Sequence, residues 1–307
     1  MFVTIAGCGA LGSIFASGIV KSGIDVQIYQ RKGLTLDSLR EQGGVRVRKG
    51  DRKQEELFPF SIITDRVQDL EPSDLILVLV KSYSTKNLVP LEGILKTDGA
   101  VLTLQNGLGN AEILSDIFGK CRIAAGVATY GAYRISPGMI QAAGEGLVSV
   151  GPWQSGIDRS WITDLLSEAG FNAEYVADPR PYIWRKLAVN AMVNTTAALT
   201  RMKNGDLIDN PLILELMKSL GHETLRAAER DGVKLDFDEL WDFFMLNLRK
   251  TASNKPSMLQ DIEAERKTEI ESISGGILKY ATDENDLPFT RSVYSLIRAI
   301  DRSRGFN

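Results

Sequence analysis

Two cysteines and a single histidine in 307 residues leave little material for thiol or metal chemistry. Cys8 and Cys121 make neither a disulfide framework nor a zinc box, and His222 alone supplies no histidine cluster, so no metal site is expected. A reducing, cytoplasmic setting follows as the expectation. Excess charge is lacking too: 36 basic against 39 acidic side chains leave a net charge of −3. That balance argues against a generic nucleic-acid or anionic-membrane binder. An uninterrupted apolar span is also missing. Residues 2–20 are apolar enough to resemble a signal peptide, but no basic segment precedes them and glycines at 7, 9, 12 and 18 break them up. Repeats, low-complexity tracts and long linkers are not apparent.

What the chain does have is 44% hydrophobic and 24% charged residues, a composition that excludes disorder, and a length that suggests two domains. Residues 1–5 read as a strand, 7–12 as a glycine turn, 10–21 as a helix and 25–29 as a second strand. The run 74–80 is continuously apolar, as in a parallel strand covered on both faces. Residues 100–104 and 122–126 repeat the theme, with helices predicted over 85–95 and 109–118. This alternation predicts an α/β fold with a doubly wound parallel sheet. Short antiparallel edge strands are expected over 132–150 and a further helix over 158–169. Prolines at 179 and 181 punctuate the chain, and beyond them the pattern is helical over 182–199, 211–231, 237–251 and 258–282. The expected domains are therefore 1–178 and 179–307.

Gly7-Cys8-Gly9-Ala10-Leu11-Gly12 is a G-x-G-x-x-G turn between strand and helix. The first glycine permits the turn, the second admits a pyrophosphate to the backbone, and the third lets helix pack on strand. Dinucleotide binding is the reading, with a purely structural turn as its alternative. The second strand ends in Tyr29-Gln30-Arg31-Lys32, without the acid that usually holds NAD ribose. Arg31 through paired donors and Lys32 as a point charge would suit a 2′-phosphate, so NADP(H) is favoured over NAD(H). The alternative is a solvated basic loop. Lys81 and Asn106 each follow an apolar strand, where open α/β sheets bind ligands. Lys186, Asn190 and Asn194 recur every four residues on an otherwise apolar helix, a polar stripe that needs partners or a ligand. A satisfied buried network is the alternative. Ser257 and Glu269 stand twelve residues apart, Glu269 within a charged run that by itself reads as a solvated helix face. His222 reads as a packing or surface residue.

Together these motifs resemble the ketopantoate reductase (2-dehydropantoate 2-reductase) family over essentially the whole chain. The likeness is carried by GCGALG, VLVKSY, QNGLG, WRKLAVNAMVN, Asn204-Gly205 and KPSMLQDIEAERKTEIE. Thr195 stands where many relatives carry proline. The resemblance implies a Rossmann-like domain followed by an all-α domain like the C-terminal domain of 6-phosphogluconate dehydrogenase. It implies NADPH-dependent reduction of ketopantoate to (R)-pantoate, on the route to pantothenate and coenzyme A, with a homodimer left open. Lys186 would be the general acid and would also touch substrate. Asn106, Asn190, Asn194, Asn204 and Ser257 would bind substrate. Cofactor contacts would come from Gly7, Cys8, Gly9, Ala10, Leu11, Gly12, Arg31, Lys81, Asn106, Ala132 and Glu269. Two competitors are a related 2-keto acid or β-hydroxyacid dehydrogenase and a non-catalytic NADP(H) sensor.

Overall fold

The computed structural model describes residues 1–50 and 55–306. They form two compact units, Met1–Gln105 with Asn110–Pro179, and Asn106–Gly109 with Arg180–Asn307.

In chain order the first unit contains β1 (Phe2–Ala6), α1 (Ala10–Lys21), β2 (Asp25–Tyr29), α2 (Leu34–Gln42), β3 (Gly44–Lys49), β4 (Glu55–Pro59), β5 (Ile62–Thr64) and β6 (Ser73–Val78). These are followed by β7 (Leu95–Thr103), α3 (Asn110–Phe118), β8 (Ile123–Ala128), β9 (Gly131–Ser136), β10 (Met139–Gly144), β11 (Val148–Pro152), α4 (Ser160–Glu168) and β12 (Ala173–Tyr175). The main sheet runs β12-β11-β8-β7-β6-β1-β2-β5 and is the expected Rossmann-like layer. Its pairs are parallel except β11 against β8, which is antiparallel. The apolar strands predicted from sequence form its centre, with Val3, Ile5, Leu75, Leu77 and Leu102 wholly buried. This agrees with the covering of both faces that such runs require.

Three expectations need correction. Of the helix expected over 85–95, residues 85–94 form part of a 3₁₀ segment, Ser82–Ile94, that contains Pro90, and Leu95 already begins β7. A proline inside an α-helix removes one donor and crowds the preceding turn, which here leaves the chain in the tighter winding. The strands expected at a sheet edge over 132–150 divide between two sheets. β11 joins the main sheet, whereas β9 and β10 form a hairpin in a separate four-stranded sheet ordered β4-β3-β10-β9. The helix expected over 258–282 is broken, as described next.

The second unit contains α5 (Arg180–Thr200), α6 (Asn204–Ile208), α7 (Pro211–Arg230), α8 (Phe237–Lys250), α9 (Ser257–Glu263), α10 (Ser274–Leu278) and α11 (Pro288–Ser303). Glu265, at φ 50, ends the helical path after α9. Arg266 Nε then donates back to Asp261 Oδ1 at 3.0 Å, and Thr268 Oγ1 donates to the buried Asp301 at 2.7 Å. Side-chain bonds thus hold an irregular segment where charge periodicity alone reads as helix. Asn210 caps α7 by accepting from Leu212 and Ile213 N–H, and buried Glu223 accepts from Phe289 and Thr290 N–H at the start of α11. No helix among the described residues is long and apolar enough to cross a membrane.

Candidate active site

At the carboxyl edge of the main sheet the order β6-β1-β2 makes a topological switch point. The chain steps from β1 to β2 on one side and later returns as β6 on the other. Ligands of open α/β sheets bind at such a crevice. The glycine turn sits there: Gly7 N–H donates to Tyr29 O at 3.0 Å, and Cys8 N–H donates to Gln30 Oε1 at 2.8 Å. Gly7 has φ +98, and a Cβ on it would lie 2.7 Å from Val80 N. At Gly12 a Cβ would lie 2.1 Å from Gly7 O. At Gly9 a Cβ would meet nothing within 4 Å, and its backbone is extended (φ −78, ψ −162). Gly7 and Gly12 are therefore required by the protein's own packing, while Gly9 keeps a surface clear. No side chain caps α1, so its first N–H groups and the positive end of its dipole are available to an anion. This donor set fits a pyrophosphate.

Cys8 is buried, and its thiol is pushed up to about 12 by desolvation, against a smaller opposing effect of its hydrogen bond to Ser13. It is no nucleophile at neutral pH. Ala10 and Leu11 are half-buried in the first turn of α1. Arg31 is exposed and has no hydrogen-bond or ion-pair partner among the described residues. Lys32 reaches Asp65 only at 3.9 Å. Lys81, next after Val80, is the extended residue that leads into the 3₁₀ segment. The carbonyl of Val80 accepts from Gln105 Nε2 at 2.8 Å, and Gln105 also donates to Thr85 Oγ1 at 2.9 Å. Ala132 lies on β9 in the second sheet, half-buried and packed against the core of the first unit.

In the second unit α5 sets Lys186, Asn190 and Asn194 in a line. Asn194 Nδ2 donates to Asn190 Oδ1 at 3.1 Å. Its own Oδ1 accepts from Ser257 Oγ and Met258 N–H, both at 3.3 Å. The Nδ2 of Asn190 is buried without a partner, and so is Oδ1 of Asn204, whose Nδ2 donates to Thr251 Oγ1 at 2.9 Å. Orphaned buried amide atoms are costly unless a ligand completes them. Glu269 is buried rather than solvated, in the irregular segment after α9, which overturns the helix-face reading. Desolvation lowers the Lys186 ammonium to about 8, while the Glu269 carboxylate works in the opposite direction. Asn106 belongs to the segment Asn106–Gly109 of this same unit. That segment is anchored by Leu108 N–H donating to Ser272 O at 2.8 Å, with Gly107 at φ +83. Asn190, Asn194 and Ser257 are thus linked by hydrogen bonds, Lys186 one turn earlier on α5 feels the charge of Glu269, and Asn204 is bonded to Thr251.

His222 is exposed and stacks on Phe237 at 3.7 Å between ring centroids. The buried Thr195 hydroxyl donates to Ala191 O within α5, so it is satisfied inside its own helix. Two residues with a bearing on the site are not singled out by the sequence, although Gln105 opens the QNGLG motif. Gln105 is fixed by bonds to a neighbouring strand end, and Asp65 arrives at the end of β2 from β5.

Residues 3–155 match the family model of ketopantoate reductase PanE/ApbA, and residues 178–301 match that of its C-terminal domain. The 2-dehydropantoate 2-reductase of Archaeoglobus fulgidus is 34% identical over 97% of each chain. That of Halobacterium salinarum is 31% identical over 98% of this chain and 99% of its own. Among solved structures, 2-dehydropantoate 2-reductase from Geobacter metallireducens superposes with a TM-score of 0.89 at 25% identity, over 97% of this chain and 99% of its own. D-mandelate dehydrogenase, solved with NADH and anilino(oxo)acetate, shares the fold at a TM-score of 0.91 and 24% identity, over 99% of this chain and all of its own.

Proposed function

Since the chain belongs to the ketopantoate reductase PanE/ApbA family, we propose that it is an oxidoreductase reducing 2-dehydropantoate to (R)-pantoate with NADPH. The step would lie on the route to pantothenate and coenzyme A, in the cytoplasm, with a small-molecule substrate and no nucleic acid. The reading is carried by Lys186, a lysine whose ammonium is lowered to about 8 and which shares α5 with the buried Asn190 Nδ2, an amide donor without a partner among the described residues.

NADPH would supply the hydride. Gly9 and the uncapped start of α1 would hold its pyrophosphate, and Arg31 and Lys32 its 2′-phosphate; Lys81, Asn106, Ala132 and Glu269 are carried over from the family resemblance as further contacts. Hydride arrival at a ketone carbon leaves negative charge on oxygen, which a positioned proton donor relieves. Lys186 Nζ delivers that proton, so hydride and proton together complete the new hydroxyl. Burial makes the ammonium a better acid near neutrality, and Glu269 keeps enough of it charged to donate. Asn106, Asn190, Asn194, Asn204 and Ser257 would orient the substrate's carboxylate and hydroxyl groups.

The test follows nicotinamide absorbance with ketopantoate and with simpler 2-keto acids, each with NADPH and NADH. Oxidation confined to ketopantoate and NADPH supports the reading. Turnover only with another keto acid sinks the substrate assignment, and nucleotide binding without any turnover leaves a sensor. Lys186→Ala should lower kcat by at least about 10²-fold with NADPH binding kept. Because the lysine must be protonated to donate, kcat/KM for reduction should be level below pH 8 and fall as pH rises through about 8. A flat profile to pH 10 would remove Lys186 as the acid.

A further inference from the structure

The acid missing from the end of β2 is supplied by another strand. One line of hydrogen bonds crosses the sheet edge from the glycine turn: Gly7 N–H donates to Tyr29 O at 3.0 Å, and Gln30 N–H donates to Thr64 O at 2.9 Å. The next residue is Asp65. With strands about 4.8 Å apart, Asp65 stands roughly two spacings, about 10 Å, from the turn, which is the adenosine end of a dinucleotide laid across it.

Asp65 is well sheltered, its side chain 12% exposed. Its Oδ1 accepts from Arg40 Nη2 at 2.9 Å, and Arg40 Nε also donates to Ile63 O at 3.1 Å. Lys32 lies 3.9 Å away. Desolvation opposes ionisation, but the Arg40 hydrogen bond and the Lys32 charge outweigh it and hold the carboxyl below its ordinary range. Its field reaches Tyr29, whose phenol is pushed up by burial and then by this carboxylate. Three cations therefore surround the end of β2, but Asp65 engages Arg40 fully and Lys32 in part. Of the three, Arg31 alone has no partner among the described residues.

We propose that Asp65 is a specificity-determining residue that weakens the protein's own discrimination in favour of a 2′-phosphate by neutralising Arg40 and drawing on Lys32. The proposal rests on dinucleotide binding at the glycine turn, but not on which nucleotide the wild type prefers. Removing one negative charge at this range should strengthen attraction for the phosphate by about threefold to tenfold at low salt. The dinucleotide without that phosphate should hardly respond.

The experiment measures Kd for NADPH and NADH by titration of the full chain, wild type and Asp65→Asn, at low and at high salt. Thermal melting checks that each variant is folded. The expected result is a rise in the NADPH-to-NADH affinity ratio of that size in Asp65→Asn, reduced at high salt. The double variant Asp65→Asn with Arg40→Ala removes the pair whole and should return the ratio to near the wild-type value. An unchanged ratio in a folded Asp65→Asn overturns the proposal. A lowered ratio also overturns it, because Asp65 would then be holding Arg40 in place for the phosphate. A wild type that binds neither nucleotide overturns the dinucleotide reading and this proposal together. A wild type that prefers NADH overturns only the NADPH assignment, and the direction of the Asp65→Asn shift still decides the present one.

Discussion

Three glycines in one hexapeptide have different reasons to be glycine. Gly7→Ala would drive a Cβ to 2.7 Å from Val80 N at a φ of +98, and Gly12→Ala would place one at 2.1 Å from Gly7 O. Both should cost at least about 1–3 kcal/mol of stability. Gly9→Ala meets nothing within 4 Å and keeps an ordinary backbone, so its stability should stay within about 0.5 kcal/mol. On the proposed function, nicotinamide dinucleotide affinity should nevertheless fall at least about tenfold, because the added methyl would occupy the space proposed for the pyrophosphate. Melting and nucleotide titration of the three variants separate the two effects, and a Gly9→Ala protein with unchanged affinity would remove the turn from the site. The spacing of these glycines was legible in the sequence because it is local. Asp65 was not, because its place beside Lys32 depends on β5 pairing with β2. Glu269 was misread for a related reason. Neighbouring charges suggest a solvated face, whereas the bonds of Arg266 to Asp261 and Thr268 to Asp301 help turn the segment inward.

Among the elements, α5 carries the polar stripe and is held from outside it. Trp184 Nε1 donates to Asp231 Oδ2 at 2.8 Å, and Tyr280 Oη donates to Asp231 Oδ1 at 2.8 Å, with the two rings edge to face at 5.3 Å. One carboxylate at the end of α7 thus fixes the helix two residues before Lys186. Asp231→Ala should cost about 2–4 kcal/mol, since it leaves two donors without their charged acceptor. A denaturation midpoint indistinguishable from wild type would refute the tether. Long helices such as α5, α7 and α8 were legible because apolar spacing repeats over several turns. The region holding α2, β3, β4 and β5 gave no expectation, since short strands of mixed polarity such as Glu55–Pro59 leave little periodicity to read. Pro90 shows the same limit, as a helical apolar pattern does not reveal which helical winding a proline permits.

At the scale of the whole molecule, the helical unit is not one continuous stretch of chain. Leu108 packs with Ile273, Ile277 and their neighbours, and its N–H is bonded to Ser272 O, although residues on either side of Asn106–Gly109 belong to the other unit. Leu108→Ala should therefore loosen the helical unit, by about 1–2 kcal/mol for a half-buried leucine. Hydrogen exchange should show the loss in Ile270–Ile277 and spare β1 and β2, and uniform protection across both would count against it. A ribosome releases Asn106–Gly109 long before it makes Ser272. The helical unit must then wait for its last third while the Rossmann-like strands on either side of that segment are already available to pair. A chain cut at residue 180 would yield a C-terminal piece lacking four residues of its own fold, and only the intact polypeptide carries the whole instruction for its second half.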